Sequence, residues 1–301
     1  MRLNKLSLKD KDIFNKYLGL QRHELSAYAF ENIFLWKPHF EIKWAEMDGN
    51  LCVFFRDKIA CFLYLSPLGN KRSPEAVSEA FKFMDSLNKN KDFSRIENVE
   101  EAEVDSYGVL GYECEEKYRD YLCKRSDLAR LSGDGFKHKR ACANFFIKHY
   151  KFEYSKFSPK HKEPCLKLFK SWMLERKEKN PDELYQAMLE DNQVCLNNLL
   201  DNYRDLGCVG RVIEVDGQVS AFTFGYPLSQ DIFCILYEVT DLSMKGAAQF
   251  IFREFCRELS GYTYINIMDD SGLENLKRVK LSYKPIRTIP NYVVTRIKGS
   301  L

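Results

Sequence analysis

Apolar residues along this 301-residue chain fall into two successive rounds of one pattern: helical spacing, then strict alternation, then helical spacing again. In the first round, Ser7 caps a predicted helix over 7–18, with Asp10 and Asp12 in its early turns. A second apolar helix over 28–36 stops before Pro38, since a residue preceding proline disfavours helix. Three strands follow, over 40–47, 51–55 and 59–65, the first two joined by the hairpin signal Asp48-Gly49. A helix over 73–87 takes Pro74 at its first position and shows an apolar face through Val77, Phe81 and Met84. A strand over 95–99 closes the round.

The second round has helices over 158–177 and 182–202, strands over 207–215, 219–226 and 231–239, a helix over 246–259 and a strand over 262–268. A last helix is expected over 273–281. Asp48 and Asp216 open hairpin turns 168 positions apart, and Asn98 and Asn266 in later strands are also 168 apart. Matching order and matching spacing favour an old tandem duplication. The expected organisation is an N-terminal domain over 1–131, a basic linker helix within 132–150, opened by the loop signal Ser132-Gly133-Asp134-Gly135, and a C-terminal domain over 151–301. The fold class is α+β.

Composition narrows the function classes. The net charge of +3 is too small to argue by itself for a nucleic-acid partner. No apolar run approaches the length of a membrane span, and the first residues lack the apolar core of a signal peptide, so a cytoplasmic protein is expected. The ten cysteines are scattered without a Cys-x-x-Cys pair, and the five histidines show no ligand spacing. Buried free thiols are expected, and no structural zinc. No nucleophile elbow, Walker loop, dinucleotide fingerprint or His-Glu-x-x-His sequence occurs.

Candidate chemistry concentrates in the second round. Ser243, Lys245, Gly246, Ala247 and Ala248 form a small-residue turn between a strand and a helix. Such a turn lets an anion or acyl donor approach free N–H groups, and it equally serves close helix packing. Glu238 and Asp241 end the strand before it, and Asp269 and Asp270 follow the strand that carries Asn266. Any of these carboxylates could act as a general base, while Asp270 also fits a helix cap. Tyr283 is a candidate proton donor, with the half-buried aromatic as its bland alternative. Lys137, Arg140 and Asn144 on the linker helix, with Lys280 near the C-terminus, are candidate substrate contacts or a solvated charged face.

The order of strands, small-residue turn, helix, strand and helix resembles the GNAT acyltransferase fold. Its donor loop reads Gln/Arg-x-x-Gly-x-Gly/Ala; here Ser243 stands at the first position and Gly246 and Ala248 at the others. The stretches 210–225, 265–270 and 276–285, with the linker residues Gly135 to Arg140 and Asn144, are similar to the phosphatidylglycerol lysyltransferase C-terminal domain family over nearly the whole chain. That resemblance implies two tandem GNAT-like domains, each a mixed, mostly antiparallel sheet flanked by helices. It implies transfer of an aminoacyl or acyl group to an amine or hydroxyl, with acyl-CoA or aminoacyl-tRNA as donor substrate and no tightly bound cofactor. The donor is expected in a cleft between the halves. Glu238, Asp269 and Tyr283 are the expected catalytic groups, Ser243 to Ala248 the donor turn, and Lys137, Arg140, Asn144, Asn266, Asp270 and Lys280 the substrate contacts. The other readings are an acetyl-CoA-dependent N-acetyltransferase and a non-catalytic binding module that keeps the fold.

Overall fold

Both hairpin signals become tight turns with left-handed backbone at each central residue: φ is 44° and 71° at Asp48 and Gly49, and 50° and 76° at Asp216 and Gly217. That geometry matches the twist of antiparallel strands. In this computed structural model, which describes residues 3–71 and 73–297, two units form around these hairpins.

The first unit takes the chain up to Asp120, together with Asp269–Glu274 and the residues from Thr288 on. Its elements are β1 (Asn4–Lys5), α1 (Lys11–Leu18), α2 (Phe30–Leu35), β2 (Glu41–Met47), β3 (Asn50–Arg56), β4 (Cys61–Leu63), α3 (Pro74–Leu87), β5 (Ile96–Glu100), α4 (Glu101–Val109) and the first part of β6 (Tyr112–Lys124). Strands pair in the order β1-β2-β3-β4-β5, and only β4 and β5 run parallel. The helix between them, α3, is the crossover a parallel pair requires. Its Ser73 cap accepts the N–H of Ala76 at 2.9 Å, and its face of Ala76, Val77, Ala80, Phe81 and Met84 is buried.

The second unit runs from Tyr121 to Met268, with Asn275–Arg287. It holds the end of β6, then α5 (Arg125–Arg130), α6 (Lys137–His149), β7 (Phe152–Lys156), α7 (Lys162–Lys179), α8 (Glu183–Asp201), the single turn α9 (Tyr203–Leu206), β8 (Val209–Val215), β9 (Gln218–Pro227), β10 (Ile232–Thr240), α10 (Ala247–Glu258), β11 (Tyr264–Asn266) and most of α11 (Glu274–Leu281). Its strand order is β6-β11-β10-β9-β8-β7, again with one parallel pair, β10 and β11. The helix α10 is amphipathic: Ala247, Phe250, Ile251, Phe255 and Cys256 are buried at three- and four-residue spacing. They pack with Phe233, Ile265 and Tyr283 in one cluster, and with Ala143, Phe146 and Ile213 in another.

Each unit is therefore a mixed, mostly antiparallel sheet flanked by helices, a GNAT-like arrangement repeated in tandem. The closing strands are exchanged along the sequence. The last strand of the chain, β12 (Arg287–Arg296), pairs antiparallel with β5 of the first unit, while the end of β6 pairs with β11 of the second. The basic helix expected as a linker is α6, and it belongs to the second unit, where Phe146 stacks on Phe250 with ring centroids 5.1 Å apart. All ten cysteines are free, nine of them buried and Cys114 half-buried. Among the described residues no helix is long and apolar enough to cross a membrane.

Candidate functional site

The second unit carries a cluster of charged groups where β10 and β11 part. Their parallel pairing runs only from Ile232–Tyr264 to Cys234–Asn266, while β10 continues to Thr240. Crevices beyond the carboxyl ends of parallel strands are the usual ligand positions in sheets with crossover helices. A β-bulge between Ile235 and Tyr237 also interrupts the register with β9. Alternation along β10 shifts by one residue there. Tyr237 sends its hydroxyl to the Asn192 carbonyl on α8, at 3.1 Å. Its neighbour Glu238 thereby takes the other face of the strand.

Glu238 is half-buried, with Lys139 of α6 and Lys280 of α11 as its charged neighbours. Burial disfavours the carboxylate and pushes its pKa up to about 8, against the pull of the two ammonium groups. Tyr283, just beyond α11, is buried at 7% exposure. Its hydroxyl is pushed well above the usual tyrosine value, first by burial and then by Glu238. Lys139 places its ammonium 3.6 Å from the centroid of the Tyr283 ring. Burial pulls the Lys139 pKa down, and Glu238 and Cys142 resist. The Lys280 ammonium donates to the Ile267 carbonyl beside β11 and lies 6.0 Å from the Tyr121 ring centroid. An acid that holds its proton near neutrality, a phenol and two ammonium groups are thus neighbours beside the diverging ends of β10 and β11.

Gly246, with φ of 88°, permits a close approach, and what approaches is protein. A Cβ there would lie 2.0 Å from the Cys142 carbonyl oxygen and 3.2 Å from the Phe146 Cβ, so the glycine seats α10 against α6. Close packing, one of the two readings of this turn, accounts for Gly246 itself. The turn is braced by Asp241, whose carboxylate accepts from the Ser243 N–H at 2.9 Å and its hydroxyl at 2.6 Å. Lys245 is exposed and lies 4.8 Å from the Phe145 ring centroid. Ala247 gives its N–H to the Met244 carbonyl at 3.2 Å, and Ala248 and Gln249, both half-buried, carry the next N–H groups of the helix.

Other sequence candidates have structural duties. Arg140 donates to the carbonyls of Leu131 and Gly133 and so ties down the loop before α6. Asn144 accepts from Arg253 at 3.3 Å, and Lys137 is exposed at the start of α6. Asn266 is fully buried and accepts the Met268 N–H at 2.6 Å, where the chain turns with φ of 61°. Asp269 accepts the Ser271 N–H at 2.6 Å and Asp270 the Gly272 N–H at 3.0 Å, both within a segment that groups with the first unit. Glu238, Lys280 and Tyr283 are thus brought together, whereas the two aspartates act as turn formers. Lys139 is absent from the sequence candidates, although a signal exists. It precedes the buried Cys142, Ala143 and Phe146 by three, four and seven residues, the spacing of one helix face.

A comparison with known proteins accords with this architecture. The family model described as "Phosphatidylglycerol lysyltransferase, C-terminal" matches residues 20–295. No functionally curated protein matches. A conserved protein of unknown function from Bacteroides thetaiotaomicron VPI-5482 has 26% identity and a TM-score of 0.87, over 98% of this chain and 99% of that one. The L-PGS structure from Bacillus licheniformis has 16% identity and a TM-score of 0.69, over 99% and 94%. A tandem GNAT protein from the clavulanic acid biosynthesis pathway shares the fold at 8% identity and a TM-score of 0.52, over 97% of both chains.

Proposed function

Since the chain belongs to the phosphatidylglycerol lysyltransferase C-terminal family, a family of acyl and aminoacyl transferases, we propose that its second unit moves an acyl or aminoacyl group onto an amine or hydroxyl acceptor. The donor is an acyl thioester or an aminoacyl-tRNA. The observation that carries this reading is the grouping of Glu238, Tyr283, Lys139 and Lys280 where β10 and β11 diverge.

Their chemistry suits acyl transfer. The acceptor's N–H or O–H attacks the donor carbonyl, a bond to carbon forms, and the thioester or ester bond breaks. In its carboxylate form Glu238 takes the proton the acceptor loses, and with a pKa of about 8 that form, and so the transfer rate, increases as pH rises toward 8. Tyr283 supplies a proton to the departing sulfur or oxygen. Lys139 and Lys280 stabilise the negative charge that develops on the carbonyl oxygen. Lys245 and the free N–H groups at Ala248 and Gln249 give the donor's phosphates a place beside the turn. Lys137 is a further phosphate contact for a tRNA donor, whose binding would weaken steeply with salt.

The test is a transfer assay against a panel of acyl-CoAs and aminoacyl-tRNAs, with mass spectrometry of the acceptor. Glu238→Gln and Tyr283→Phe each lower turnover by about 10²–10⁴, and Ala248→Glu raises the donor KM. Unchanged turnover in both Glu238→Gln and Tyr283→Phe would remove them from the mechanism. Wild-type protein that neither transfers any group nor is thermally stabilised by any donor would favour a binding module instead.

A further inference from the structure

The second unit holds a groove of about 640 Å³ between α7 and the end of the sheet that carries the β8–β9 turn and the exit of β10. The α7 wall is a ridge of residues four apart, Glu163, Lys167, Ser171 and Glu175, flanked by Leu168 and Trp172. Its two glutamates stand twelve residues apart, which is about 18 Å along a helix axis. The sheet side supplies Glu214 near the end of β8, Val219 just past the hairpin turn, and Thr240 to Leu242 at the exit of β10.

Charge and length define what fits. Four carboxylates line the groove, those of Glu163, Glu175, Glu214 and Asp241, against one ammonium, that of the exposed Lys167. Their charge is only weakly offset from within. Asp241 accepts from the Ser243 N–H and hydroxyl, both neutral groups. Glu214 faces the buried His161 ring at 3.6 Å. Burial pulls the His161 pKa below its usual value and Glu214 opposes, so the ring is mostly neutral at pH 7. Glu175 has a loose partner in Lys179 at 4.0 Å, with both side chains in contact with water, and such a pair contributes only about 0–1 kcal/mol. Glu163 is exposed, and its neighbour Lys162 is engaged by Asp201. The Arg176 guanidinium lies 5.3 Å from the Trp172 ring centroid, so that ring already has a cation and offers a ligand apolar contact. Spaced negative charge beside apolar strips complements a flexible chain in which ammonium groups alternate with methylenes. An extended peptide fits less well. The strands β8, β9 and β10 each have a neighbour on both sides, so no unpaired backbone is there for it to join.

We propose that this groove binds a linear polyamine, a chain of three or four ammonium groups separated by short methylene runs. Glu163 and Glu175 take its ends, Glu214 and Asp241 its interior, and the methylenes lie against Leu168, Trp172 and Val219. Glu238 is not among the lining residues, and the binding stands or falls without the transfer reading of this unit.

Calorimetric titration of the full chain at near-physiological salt tests it. The probes are spermine, 1,12-diaminododecane as a chain of the same length charged only at its ends, and magnesium chloride as a source of non-specific charge. Spermine binds saturably with one site per chain, at least tenfold tighter than either of the others. Glu163→Gln combined with Glu214→Gln weakens spermine at least tenfold. Glu178→Gln, which removes a charge from α7 outside the groove, leaves it unchanged. Ser171→Phe fills the groove midway and abolishes binding. Glu163, Ser171 and Glu178 are exposed, so changes there leave folding intact. If Glu214→Gln disturbs the fold, Glu163→Gln alone still weakens spermine about threefold. Absence of saturable spermine binding overturns the proposal, as does parity with the diamine or with magnesium. Equal weakening by Glu178→Gln, or binding that survives Ser171→Phe or the lost carboxylates, overturns it too. Tighter binding of a pentalysine peptide than of spermine would make the groove a peptide site instead.

Discussion

Glu238 shows how much one side chain's surroundings decide. Its folded pKa of about 8 exceeds the ordinary 4.5 that the unfolded chain restores. Between those values the folded state binds more protons than the unfolded state, so stability falls as pH rises across that window. Glu238→Gln removes the titration. Relative to that variant, wild type is expected to lose stability steadily from pH 5 to pH 8 in urea unfolding, with most of the loss above pH 6. A difference between the two proteins that stays flat with pH would show that the carboxyl titrates normally. Lys139 makes the complementary point. Its role depends on the side of α6 it occupies, and a run of four consecutive basic residues hides that phase until the buried Cys142, Ala143 and Phe146 fix it.

At the level of elements, two glycines with similar backbone separate conformational from steric need. Gly217 has φ of 76° and open space where a Cβ would go, whereas Gly246 has φ of 88° and meets the Cys142 carbonyl. Gly217→Ala is expected to cost about 1 kcal/mol, the left-handed penalty alone. Gly246→Ala adds a backbone clash and is expected to cost about 3 kcal/mol or more, measured by chemical unfolding. Equal losses would mean that α6 yields freely. A charged residue at Gly246 would therefore report packing before it reported any ligand, which makes Ala248 the better position to probe a donor. The strands around both hairpins were legible because their apolar alternation is bounded by Asp-Gly turns. The strand β6 was not, since Glu113, Glu115, Glu116, Lys117 and Arg119 give its first part the polarity of a loop, and the apolar run Tyr121 to Cys123 is too short to stand out. β12 hides for another reason: Pro290 lies within it, and proline in a run argues against a strand unless it sits where no ladder donor is needed. Of the proposed site, Glu238, Lys280 and Tyr283 were legible as candidates from their positions at element ends. The turn bonds of Asp269 and Asp270 were not legible, because a carboxylate at a strand end and one that forms a turn look alike in sequence.

On the scale of the whole molecule, the sequence pattern reads as two consecutive halves, but the chain passes between units at Asp120, Met268, Glu274 and Arg287. A fragment of residues 1–131 lacks β12, and a fragment of residues 151–301 lacks the end of β6 as well as α5 and α6. Expressed alone, neither is expected to give a cooperative unfolding transition. With residues 288–297 appended to the first fragment through a flexible linker, its folding should recover. Sharp unfolding of the unaided fragment 1–131 would show that the exchanged strand is dispensable.

The exchange of closing strands also bears on heredity. Once the ancestral copies had traded their final strands, a deletion that removed either one left the survivor with an unpaired sheet edge. Such an edge invites aggregation. Strand pairing that crosses the sequence in this way therefore makes loss of either half costly to the other, a constraint on the gene that is independent of any ligand.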